Sequence, residues 1–187
     1  MSSKVNIKDI VLGHFATLRN TDGRFSIMDF VTFCFVPVLV GALCVSAGFN
    51  LNDDIASLLV NFGAIFTALL LSVLVLVYDQ ESKLDDRQVG SVEAGRAPDE
   101  FYNAKKRLLD ELYLNISYSI LCSLILIASC FAFSVADSFV VKDAAAPSVG
   151  LFLSKVVFTP VAVIISVNLL LTIVMIVKRL HSLLRMK

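Results

Sequence analysis

Charged residues cut this chain into four long uncharged stretches, Phe30 to Asn52, Ile55 to Tyr78, Leu112 to Ala136 and Val156 to Val177, of 23, 24, 25 and 22 residues. A helix rises 1.5 Å per residue, so about 20 residues cross the ~30 Å hydrocarbon layer of a bilayer. Each stretch meets that length with little to spare. The buried helices of a soluble bundle keep a polar face, whereas these stretches carry no charge on any face. The pattern predicts an all-α integral membrane bundle of four transmembrane helices, with spans at about 27–52, 55–78, 112–136 and 156–177 of one membrane domain covering 1–187.

Outside the spans the pattern changes. In the leading segment, 1–25, Ile7, Ile10, Val11, Phe15 and Leu18 recur at three- and four-residue intervals while Lys8, Asp9 and Arg19 fall elsewhere. That spacing predicts an amphipathic helix on the membrane surface or on a partner. Asn20-Thr21-Asp22-Gly23 then reads as a turn. Ser26 with Asp29 three residues later forms a capping-box-like start to the first span, Asp29 sitting at the headgroup boundary. Between the second and third spans, residues 79–111 predict a cytoplasmic helical hairpin: helix formers from Asp79 to Gln88, a turn over Val89 to Ala97 containing Gly90 and Gly95, and a returning helix after Pro98. Phe101, Ala104, Leu108 and Leu112 give that hairpin an apolar stripe. Residues 178–187 form a basic tail.

Composition agrees with lipid as part of the solvent. The hydrophobic class makes up 57% of residues and charged residues 17%, against roughly 45–50% and 25% for a soluble domain. Mean hydropathy is +0.82. Sixteen basic residues balance sixteen acidic ones, which removes the cationic footprint of a nucleic-acid binder. The cations are nevertheless unevenly placed: fourteen lie in the leading segment, the central segment and the tail, and only Lys142 and Lys155 lie elsewhere. The positive-inside rule then puts both termini and the central segment in the cytoplasm. Val45-Ser46-Ala47 looks like a signal-peptidase site, but it follows a leading segment and an apolar stretch too long for a signal peptide, so the first span reads as an anchor.

Candidate chemistry is sparse. No Asp, Glu, Lys, Arg or His lies within a span, which disfavours proton-coupled transport and voltage sensing. The polar residues of the third span, Asn115, Ser119, Cys122 and Ser129, occupy roughly one helical face. They either hydrogen-bond a neighbouring helix or line a narrow pore. Gly63-x-x-x-Thr67 offers close helix approach, and Pro37 and Pro160 free carbonyls that neighbours must satisfy. Cys34, Cys44, Cys122 and Cys130 fall inside spans without ligand spacing and read as structural thiols. His14 and His181 read as interfacial polar residues. Motifs for hydrolases, zinc proteases and phosphate loops are missing from the sequence, so neither enzymatic activity, a metal nor a cofactor is expected. Phe15, Leu18, Phe101, Lys105, Lys106 and Arg107 are the candidate surface for a cytoplasmic protein partner, whose charges would steer docking.

Three segments carry a family resemblance over the whole chain: Thr17-Leu18-Arg19-Asn20 with Asp22-Gly23-Arg24, Pro37 in the first span, and the run from Leu69 to Gln80. With these the chain resembles small four-span proteins of bacterial anti-phage loci, and is most similar to the membrane subunits of the two-gene Kiwa system. The resemblance implies a homo-oligomer in the bacterial inner membrane, acting as scaffold or sensor for a cytoplasmic DNA-binding effector. It carries over no individual site residue. An oligomeric pore that permeabilises the inner membrane is the alternative of a different class.

Overall fold

The structure, a computed structural model, describes residues 7–18, 26–95, 101–138 and 154–185. The turn expected at Asn20–Gly23, Pro98, the loop after the third span and several cations used for orientation (Lys4, Arg19, Arg24, Arg96, Lys142 and Lys187) lie outside the described residues. Apart from short turns, the described residues are helical: α1 (Ile7–Ala16), α2 (Ile27–Ser46), α3 (Asp53–Glu93), α4 (Tyr102–Ser138) and α5 (Thr159–Arg185), the last preceded by a π-turn over Ser154–Phe158.

Four of these helices are long and apolar enough to cross a membrane. Their burial is inverted relative to a soluble fold. Only 17% of the most apolar stretch of α2 and of α3 is buried, and no more than 33% in α4. Leu58, Ile65, Val75, Phe131 and Val174 all point outward. Water would make such a surface prohibitive, so the chain is a multi-pass membrane protein built as an all-α bundle.

α4 is the central helix. It packs against α3 on one side and α5 on the other, α2 packs on α5, and α1 lies against α4. Two apolar clusters join α3, α4 and α5, one around Leu126, Phe133 and Ala162 and the other around Leu112, Ile116 and Ile176. Small residues set the α3–α4 approach as the sequence predicts. A methyl added at Gly63 would stand 3.0 Å from Ile127 Cγ1 and 3.3 Å from the Ser123 carbonyl. One turn on, the Thr67 and Ser123 hydroxyls meet at 2.6 Å. Gly63→Ala should therefore lower the stability of the detergent-solubilised protein by about 1 kcal/mol, read as a reduced melting temperature, because overpacking spreads these helices.

Helix starts follow local chemistry. The Ser26 hydroxyl accepts from the Asp29 N–H, so the expected cap is present. Asn52 accepts from the Ile55 N–H at 2.8 Å and starts α3 two residues earlier than the charge boundary suggests. Asp53 and Asp54 are thereby in the first helical turn, where carboxylates favour the positive helix end. At the other end α3 does not turn at Val89. It continues through Gly90 to Glu93 and stops where Gly95 takes φ 65°, a left-handed position that glycine occupies without strain.

Pro37 shows how the bundle repairs a broken helix. Proline has no N–H to give the carbonyl four residues back, Phe33 O. α2 answers with a π-turn over Val31–Phe35, and Asn168 of α5 donates its Nδ2 to Phe33 O at 2.8 Å. The other end of that carboxamide accepts from the Tyr118 hydroxyl at 3.0 Å. One asparagine thus ties α2, α4 and α5 together.

Candidate functional site

The amphipathic first helix does not lie free on a surface. Gly13 lets its backbone press on α4, where an added methyl would come within 2.7 Å of Leu114 Cδ2. His14 follows and is fully buried. Its ring stacks on Tyr118 at 3.8 Å and 3°, and meets Phe15 and Phe33 edge-on. Asn115 Oδ1 lies 2.8 Å from His14 Nδ1 and 3.0 Å from the Thr17 hydroxyl, whose single hydrogen is shared with the His14 carbonyl at 2.7 Å. With a carbonyl-type acceptor facing it, Nδ1 carries the proton, and Nε2 is a bare lone pair without a partner. Burial pushes the His14 pKa down to about 4, opposed by the Asn115 bond and reinforced by the positive Arg179. The imidazole is therefore neutral at physiological pH. His14 is a core residue of the docked helix, a correction to its reading as interfacial; His181 is exposed.

Arg179 closes this end of the site. Its NH2 donates to the Thr17 carbonyl at 2.8 Å, satisfying an orphan acceptor at the end of α1, where cations are favoured. Glu111 holds the same guanidinium at 3.5 Å and takes Arg107 Nε at 3.1 Å. A cleft of about 560 Å³ opens here between the α1 terminus, α2, α4 and α5.

The projecting hairpin forms a second region. Asp85 accepts from Lys106 Nζ at 2.8 Å on both oxygens and from the Tyr102 hydroxyl at 2.7 Å. The Lys106 bond, aided by Tyr102, holds the Asp85 carboxyl below its usual range. This clamp lies on the face of α4 that packs against α3 through Leu109, Leu112 and Ile116. Tyr102, Lys106, Leu109 and Leu112 turn inward; Phe101 and Ala104 are exposed, and Leu108 with Ala104 lines the cleft described above. The stripe read from sequence is thus rotated by about one residue. Beside the clamp a groove of about 750 Å³ runs between α3, α4 and the end of α5. Leu84, Leu183 and Leu184 contribute its apolar wall and Lys83, Arg87 and Lys105 its charge; Lys83 is paired with Asp79 at 2.6 Å, just outside the described lining, which itself holds no carboxylate.

The residues singled out as a partner surface do not come together. Lys105 lines the groove, Lys106 is clamped to Asp85, and Arg107 faces the cleft with Glu111. Three consecutive helical residues are about 100° apart, so one face cannot present them all. Leu18 is buried and Phe15 half-buried against Tyr118, which removes both from an exposed docking face in this conformation. Asn115, Ser119 and Cys122 do share the buried face of α4. Ser129 falls off it and donates to its own helix at Ile125 O. Asn115 Nδ2 and Ser119 Oγ are buried without partners. Sequence reasoning missed Arg179 and Asn168; an arginine just beyond a span and an asparagine within one were the only signals.

Comparison with known protein families, with curated proteins and with solved structures finds no match for this chain.

Proposed function

We propose that this protein is a membrane-embedded scaffold or sensor subunit, without enzymatic activity of its own, that recruits a cytoplasmic effector. Following the sequence resemblance, the setting is a bacterial anti-phage defence complex of the inner membrane, the protein a homo-oligomer and the effector a DNA-binding protein. The observation that carries the scaffold reading is the length of α3. Its 41 residues make a helix about 60 Å long, twice the hydrocarbon thickness. Residues 79–93 extend roughly 20 Å past the uncharged span, braced by the Asp85–Lys106–Tyr102 clamp. A rigid hairpin with a basic, leucine-walled groove suits the acidic surface of a protein better than a small substrate.

The test is co-purification in mild detergent with the product of the adjacent gene. Lys83→Glu with Arg87→Glu and Lys105→Glu should abolish recovery of that partner at salt where the wild type retains it. Unchanged recovery removes the groove as the docking site. Orientation is tested separately. Reporter fusions within residues 89–97 and after Lys187 should behave as cytoplasmic and one after Asp143 as external, given the fourteen-to-two cation bias.

A further inference from the structure

The cleft between α1, α2, α4 and α5 combines two chemistries that few ligands share. Among the described residues its rim holds Arg107, Lys178 and Arg179 against two carboxylates, Asp29 and Glu111, an excess of one positive charge. Arg179 is spent on the Thr17 carbonyl and on Glu111. Arg107 bonds Glu111 through Nε and its side chain stays more than half exposed, and Lys178 is exposed with no ion-pair partner among the described residues. Below the rim the wall becomes apolar, with Leu171, Val174 and Met175 of α5 opposite Phe33 of α2. Leu171 is seven residues before Lys178, about 10 Å deeper along the helix. The rim therefore lies where the uncharged spans end, and the slot enters the hydrocarbon.

We infer that this cleft is a binding site for one anionic phospholipid of the same leaflet, its phosphate held by Lys178 and Arg107 and an acyl chain lying along Leu171, Val174 and Met175. One phosphodiester charge matches the excess carried by the described rim residues, and the slot accepts what is covalently attached to it. A free phosphate would leave the apolar slot unfilled, and a zwitterionic lipid would bring an ammonium to a site already in positive excess. Because Thr17 and Leu18 form part of the wall, the bound lipid would also hold the end of α1 in place.

The experiment uses the full chain, delipidated in detergent and without any effector, so its outcome is independent of the scaffold reading. Native mass spectrometry titrates in phosphatidylglycerol or phosphatidylcholine of matched chains. The expected result is one saturable phosphatidylglycerol per chain, bound at least about tenfold tighter than phosphatidylcholine. Lys178→Gln with Arg107→Gln should erase that preference. Lys83→Gln with Arg87→Gln, in the other groove, should keep it. Equal binding of the two lipids, non-saturable adducts, a preference that survives the first double variant or is lost in the second, or displacement by millimolar inorganic phosphate would each overturn the assignment.

Discussion

Lowering the pH from 7.5 to 4 is expected to release α1 from the bundle, with the transition between 6.5 and about 4. The docked helix buries His14 as the neutral imidazole, with its pKa held down to about 4. The undocked helix exposes it to water, where the value returns to about 6.5. Above pH 6.5 neither form binds the proton and docking is at full strength. As pH falls through that window the released form takes up the proton and the docked form does not, so docking weakens by about 1.4 kcal/mol per pH unit, on the order of 3 kcal/mol in all. Among the described residues no compensating carboxylate reaches the ring: the polar and charged groups near it are Asn115, Thr17, Tyr118 and Arg179, and Glu111 is occupied by two arginines. The sequence has no tryptophan, so Phe15→Trp supplies a unique reporter beside Tyr118. Its emission should shift to the red across this range. His14→Asn, which keeps a donor near the Nδ1 position and cannot titrate, should remove the shift.

Asn115→Leu should detach the same helix at neutral pH. Its Oδ1 is the shared acceptor for His14 and Thr17, and leucine leaves the imidazole N–H buried with no partner. The expected cost is about 2–3 kcal/mol, less than two full desolvation penalties because the already unpaired Asn115 Nδ2 disappears as well. The Phe15→Trp reporter at pH 7 and the melting temperature both read it. Ser119→Ala provides the contrast. Its hydroxyl is buried and unpaired, so its removal should not destabilise the protein and should raise its stability by up to about 1 kcal/mol. The pore alternative predicts a different response. A lumen along this face would conduct in liposomes, and Ser119→Leu would close it by making a dewetting constriction. With Asn115 covered by α1 and Ser119 enclosed, the expected result is no substantial ion leak from wild-type protein. A leak abolished by Ser119→Leu in normally assembled protein would favour the pore.

Local features were legible because they depend on neighbours in the chain. Four uncharged stretches of spanning length determine four membrane helices whatever their arrangement, since unpaired backbone groups are intolerable in hydrocarbon. The Ser26 cap, the close approach at Gly63 and Thr67, and a freed carbonyl near Pro37 likewise follow from residues three or four positions apart. Even the stop of α3 is written in Gly95, although the tolerated Gly90 makes the sequence turn look longer than it is.

The tertiary structure alone decided which polar residues meet. His14 and Asn115 are 101 positions apart, and Thr17 and Arg179 are 162. A 3.6-residue period identifies an apolar face without saying what covers it, so α1 reads equally well as a helix on lipid or one docked in protein. Lys105, Lys106 and Arg107 look like one basic patch in the sequence, and the packing of α4 between α3 and α5 sends them to a groove, a clamp and a cleft. Sequence thus determined the solvent of this protein and the lengths of its helices, both of which follow from short-range pattern. Helix rotation, and with it every buried polar contact and both cavities, was set by long-range packing, where shifting a helical face by one residue changes all its partners.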